Sequence, residues 1–149
     1  MGTIVVGVDG SVSAQAALEF ALKEAALRGT SLRVVCAWET APDVPKGDVY
    51  PAEEFARYPV EQHAILDRAL ARAAALEPSV TCKGKVLAGQ PASVLLEEAQ
   101  HADMLMVGSR GRGGFASLLL GSVSQQVAHH AQCPLVIVRE TGRAQGAND

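Results

Sequence analysis

Residues 104–124 read MLMVGSRGRGGFASLLLGSVS, with five glycines from Gly108 to Gly121. They fall between an apolar run and a segment with helical spacing. Glycine carries no Cβ, so main-chain N–H groups can come close to a ligand, and Gly108 and Gly111 can take positive φ. Gly121-Ser122 then opens a helix, whose first N–H groups have no internal partner and carry the positive end of the helix dipole. Such a terminus is suited to a phosphate. Hydrogen bonds to a charged group contribute about 1.5–3 kcal/mol each, so three or four well-aimed donors suffice for micromolar binding. Arg110 and Arg112 add positive charge to the same stretch. A glycine-rich strand-to-helix stretch can also be a plain flexible connection, and composition alone does not choose between the two.

Other nucleotide loops fit poorly. GRGGFA matches GxGxxA, but no helix starts there and no acidic residue follows about 20 positions later. A GxxxxGK[ST] loop is absent. Asp9, in VDGS, is the carboxylate nearest a second polar turn. His129 and His130 are adjacent, and neighbours on a helix point about 100° apart, so they are read as a favourable positive end to a helix rather than a metal pair. Cys36, Cys82 and Cys133 are widely spaced without CxxC and read as buried free thiols. Glu53-Glu54 and Glu97-Glu98 read as solvated faces. Nothing in the chain suggests a Ser/His/Asp or Cys/His arrangement, and no catalytic or metal-binding residue is assigned. Trp38, at the end of a strand, is expected to anchor the adjoining loop in the core, with a cover over a ligand as the alternative.

Elements must position these residues. Thr3–Asp9 (TIVVGVD) is a β-branched run without clean alternation, as in a strand covered on both faces. Ser11 or Ser13 can cap the following helix, where Ala14, Ala17, Leu18, Ala21, Leu22 and Ala25 share one face, and Gly29 can end it. Further strands are expected at 32–38, 80–87, 103–107 and 135–139. Pro59 suits the first turn of a helix running to Glu77, and Pro91 opens a short one. A helix is expected over 122–131. Residues 39–58, with prolines and acidic side chains, are expected to form a surface loop that can reach over a site. Strands alternating with helices imply βαβ units, hence a parallel sheet with helices on both faces. In such sheets ligands bind beyond the carboxyl ends of the strands, where chain direction reverses. If the first and fourth strands are neighbours, Asp9 and Gly108 flank one crevice.

Composition sets the outer limits. The 149 residues are enough for one domain with a substantial core. Apolar residues make up 48% and charged residues 19%, a balance that argues against a disordered chain. A net charge of −3 argues against broad nucleic-acid binding. No apolar run approaches the roughly 18 residues of a membrane span, and no signal-peptide pattern opens the chain. The protein is expected to be soluble and cytoplasmic, with residues 1–140 as one domain and 141–149 as a disordered tail.

The spacing Gly108-x2-Gly111-x9-Gly121-Ser122 resembles the G-x2-G-x9-G-[ST] signature of the ATP-binding branch of the universal stress protein family. VGVDGS, LLLGSVSQQV and CPLVIVR extend the resemblance from Ile4 to Arg139. It implies a three-layer, Rossmann-like α/β sandwich of the adenine nucleotide alpha hydrolase-like type, with an open five-stranded parallel sheet of order 3-2-1-4-5. It also implies ATP as the ligand, with Mg²⁺ accompanying the phosphates. By the same resemblance Asp9 contacts the ribose or adenine region, Gly7 and Val8 line that turn, and Ala37 lies against adenine. Val107 and Gly108 approach the ribose; Gly111, Gly121, Ser122, Val123 and Ser124 surround the phosphates. Ser109, Arg110 and Arg112 stand at variable positions within the motif. Some relatives carry larger residues where Gly7 and Ala37 stand, so the adenine pocket is expected to be roomier here. A homodimer paired through the strand at Leu135–Arg139 is a further expectation, since an unpaired apolar edge invites a partner. The implied function is a nucleotide-dependent stress-response or signalling module rather than an enzyme. A slow ATP hydrolase or nucleotide-transfer enzyme on the same scaffold is the alternative, and it would need a water-orienting residue and a carboxylate-held metal.

Overall fold

A computed structural model of the chain describes residues 2–39, 52–111 and 119–140, the side chains of 52–58 aside. Its elements alternate in chain order: β1 (Thr3–Gly7), α1 (Val12–Arg28), β2 (Ser31–Trp38), α2 (Ala52–Leu76), β3 (Cys82–Ala88), α3 (Pro91–Glu98), β4 (Met104–Gly108), α4 (Ser122–His130) and β5 (Leu135–Val138). All five strands are parallel, in the order β3-β2-β1-β4-β5. The resemblance implied that order, and the sheet has it.

Strand side chains point alternately to the two faces, and both faces are covered at the centre of the sheet, so β1 and β4 are almost wholly apolar. Ile4, Val6, Leu32, Val34, Cys36, Met104 and Met106 pack under α1 and α2. Val5, Val35, Leu105 and Val107 pack under α3 and α4. On α1 the small residues Ala17, Ala21 and Ala25 are fully buried beside Leu18 and Leu22, which lets the helix lie close to the sheet. Ser11 caps its start, accepting a hydrogen bond from the Ala14 N–H, and Gly29 ends it at φ 66°.

The expected start of α2 is corrected. The helix begins at Ala52, and Pro59 lies inside it rather than in its first turn. An interior proline removes one hydrogen bond and disfavours the helix by roughly 3 kcal/mol, but Ala52 to Arg57 (AEEFAR) contains good helix formers that extend the helix ahead of it. The expected loop therefore ends by Ala52. Residues 40–51 and the expected tail at 141–149 lie outside the described residues.

The two sheet edges differ. β3 carries Lys83 and Lys85, both exposed, with the Lys85 Nζ 3.1 Å from a Glu98 carboxylate oxygen. β5 reads LVIV and is half-buried throughout. Among the described residues no helix is long and apolar enough to cross a membrane.

Candidate functional site

From β1 the chain leaves toward β2 on one side, and from β4 it leaves toward β5 on the other. The turns after β1 and β4 thus diverge and open a crevice at the carboxyl ends of the strands. In the first turn the Ser11 N–H donates to Asp9 Oδ1 at 2.9 Å, and Gly10 takes φ 85°. The short side-chain turn fixes the Asp9 carboxylate at the crevice rim. Its other oxygen lies 3.3 Å from where a Cβ on Gly111 would stand.

The second turn is tied down by buried hydroxyls. The Gly121 N–H donates to the Ser109 carbonyl at 2.7 Å. Ser124 Oγ lies 3.0 Å from that same carbonyl and 3.0 Å from that of Gly121. The Arg110 N–H donates to Ser13 Oγ at 3.2 Å. Gly121 is the N-cap of α4 and offers no side-chain cap, so the first N–H groups of that helix stay available at the crevice.

Between these turns lies a cleft of about 390 Å³, within the roughly 300–1,000 Å³ of small-molecule sites. Val35, Ala37, Pro91, Leu95 and Val107 make one end apolar. Gly111, Gly121, Ser122, Val123 and Ser124 form the other, beside the start of α4. Of the residues singled out in the sequence, Gly7, Val8, Asp9, Gly108 and Arg110 also line it. Asp9 is the one carboxylate among its described lining residues.

Several expectations change. Ser109 does not line the cleft; it is 3% exposed, and its hydroxyl sits 3.4 Å from that of Ser13. Arg112 lies outside the described residues. Gly108 and Gly111 do not take positive φ. What Gly108 supplies is space, since a Cβ there would lie 2.6 Å from the Ser13 carbonyl carbon and 2.8 Å from the Ala14 nitrogen. Nor does Gly7 widen the apolar end, because Leu95 from α3 fills the volume, within 2.8 Å of a Cβ built on Gly7. Ala14, Val35, Pro91 and Leu95 line the cleft without having been singled out. Pro91 marked the start of a helix but not which strand ends that helix would cross. Trp38 is half-buried and does not line the cleft. Cys36 is buried. Cys82 and Cys133 are only partly so, and burial pushes both thiols above their usual value. Among the described residues no group of three His, Cys, Asp or Glu side chains is placed to hold a metal.

A family model, "Universal stress protein family", matches residues 1–139. The chain belongs to the universal stress protein family. A universal stress protein of Mycolicibacterium smegmatis is 38% identical over 137 residues, spanning 91% of this chain and 45% of that relative. One from Mycobacterium tuberculosis is 39% identical over 138 residues, spanning 91% and 43%. The chain thus covers less than half the length of these curated relatives. Among solved structures, the universal stress protein UspA from Lactobacillus plantarum has the same fold, with TM-score 0.81 at 22% identity over 93% of this chain and 97% of that one. A universal stress protein described as in complex with cAMP superimposes with TM-score 0.69 at 30% identity, over 94% and 98%.

Proposed function

We propose that this universal stress protein domain binds ATP in the cleft between the β1 and β4 turns and acts in the cytoplasm as a nucleotide-dependent signalling module. The carrying observation is the division of that cleft into an apolar end and an amide-lined end at the start of α4. A purine would lie against Val35, Ala37 and Leu95, and the phosphates would accept hydrogen bonds from the main chain around Gly111 and Gly121-Ser122. Asp9 repels phosphate and, as an acceptor, suits a ribose hydroxyl or the adenine amine. The relative of 30% identity described in complex with cAMP supports an adenine nucleotide. Mg²⁺ would enter with the phosphates of ATP, held chiefly by them.

Binding is favoured over hydrolysis. Among the described residues the cleft offers a single carboxylate, and one of its oxygens already accepts the Ser11 N–H. Metal-assisted phosphoryl transfer ordinarily uses carboxylates to hold the ion and a further group to orient water. The β5 edge supports a homodimer, since it is short, uncharged and, among the described residues, unpaired on its outer side.

Calorimetric titration of the purified protein with ATP, AMP and cAMP tests the nucleotide, alongside phosphate release followed over hours with Mg²⁺. Micromolar ATP binding with negligible turnover is the expected result. Preference for cAMP would move the ligand to a cyclic nucleotide, and turnover lost in Asp9→Ala with binding retained would make the protein an enzyme. No affinity for any of the three would end the proposal.

A further inference from the structure

Resting on the phosphate-holding role proposed above, we infer that Ser13, in the first turn of α1, is a positioning residue that sets the orientation of the glycine loop. Ser13 is 1% exposed, and a hydroxyl that far from water needs a partner. Capping α1 is not its task, because Ser11 already accepts the Ala14 N–H. Its partners lie about a hundred positions along the chain. Ser13 Oγ accepts the Arg110 N–H at 3.2 Å and can donate its own proton toward the Val138 carbonyl at 3.5 Å or the Ser109 hydroxyl at 3.4 Å.

The Ser109 carbonyl and the Arg110 N–H belong to one peptide unit. Its oxygen is held by the Gly121 N–H and the Ser124 hydroxyl, its nitrogen by Ser13. A peptide plane gripped at both ends cannot rotate, so the chain enters Gly111 in a fixed direction. The Ser109 N–H, donating to the Val138 carbonyl at 2.9 Å, secures the residue before it. Gly108 is the residue that allows this, since any Cβ would stand 2.5 Å from Ser13 Oγ. Ser124 thus serves the same clamp from the opposite side, its proton directed at carbonyl groups. The clamp acts on the amide-lined end of the cleft, and Ser13 lies outside the set of residues lining it.

The test compares Ser13→Ala with the unaltered protein, titrating AMP and adenosine separately and following amide hydrogen exchange without ligand. Loss of one hydrogen bond that orients a donor predicts AMP affinity lower by about tenfold and adenosine affinity within about twofold. Exchange at the Arg110 amide, whose partner is removed, should quicken by about tenfold or more, with the sheet amides unchanged. Ser13→Cys keeps most of the volume with a weaker acceptor, and should move both readouts in the same direction if Ser13→Ala fails to fold. Equal weakening of AMP and adenosine, or no change in either, would overturn the inference and leave Ser13 a packing residue. If neither ligand binds the unaltered protein, the proposed function fails, and exchange at the Arg110 amide alone decides the clamp: faster exchange upholds it, unchanged exchange removes it.

Discussion

Gly108 sits where any residue could adopt the backbone angles, and its constraint comes from across the sheet. A methyl group there would meet main-chain atoms of Ser13 and Ala14, which cannot swing aside as a side chain can. Gly108→Ala should therefore destabilise by about 1–3 kcal/mol, read as a lower midpoint in urea denaturation. Gly7 offers the contrast. Its missing side chain is replaced by the end of Leu95, so Gly7→Ala should shift Leu95 into the apolar end of the cleft. The expected result is a similar loss of affinity for adenosine and AMP, with stability changed by less than about 1.5 kcal/mol. Gly111→Val, facing the Asp9 carboxylate, should weaken AMP while leaving the denaturation midpoint near that of the parent. The partly buried thiols add a pH dependence. Cys82 and Cys133 both have pKa values raised above 9.0 by burial. The unfolded chain then releases those protons first, and stability should fall as pH climbs from about 9.0 toward the higher folded values. Denaturation midpoints measured across that interval, with Cys82→Ala as the flatter control, check the sign.

At the scale of elements, the apolar strands and the alanine face of α1 were legible because their periodicity is strong and local. The start of α2 was not. Pro59 and the acidic residues before it look like a boundary, and only the folded chain runs the helix through them. Pro59→Ala restores a main-chain donor in the middle of a 25-residue helix. It should raise stability by about 1–2 kcal/mol, less than the full proline penalty because the unfolded chain also gains freedom. The motif glycines could be found from spacing, but the sequence could not say whether each supplies unusual backbone angles or room for a neighbour. Ser13 illustrates why. Its partners Arg110 and Val138 are 97 and 125 positions away, and no local pattern records such a meeting. Val35 and Leu95 escaped notice for the same reason, being ordinary core residues until β2 and α3 are set beside the cleft.

For the whole molecule, the parallel order β3-β2-β1-β4-β5 leaves two unlike margins. β5, unpaired on its outer side among the described residues, leads to a prediction for sedimentation equilibrium at micromolar concentration: a mass twice the 15.5 kDa of the chain. A single species of 15.5 kDa would remove the pairing. The other margin bears Lys83 and Lys85, cations that repel a second such strand laid against them. Once two copies have joined along their bare sides, only lysine-fringed rims remain outermost. Association through β5 would then be self-limiting, ending at a pair rather than a fibre.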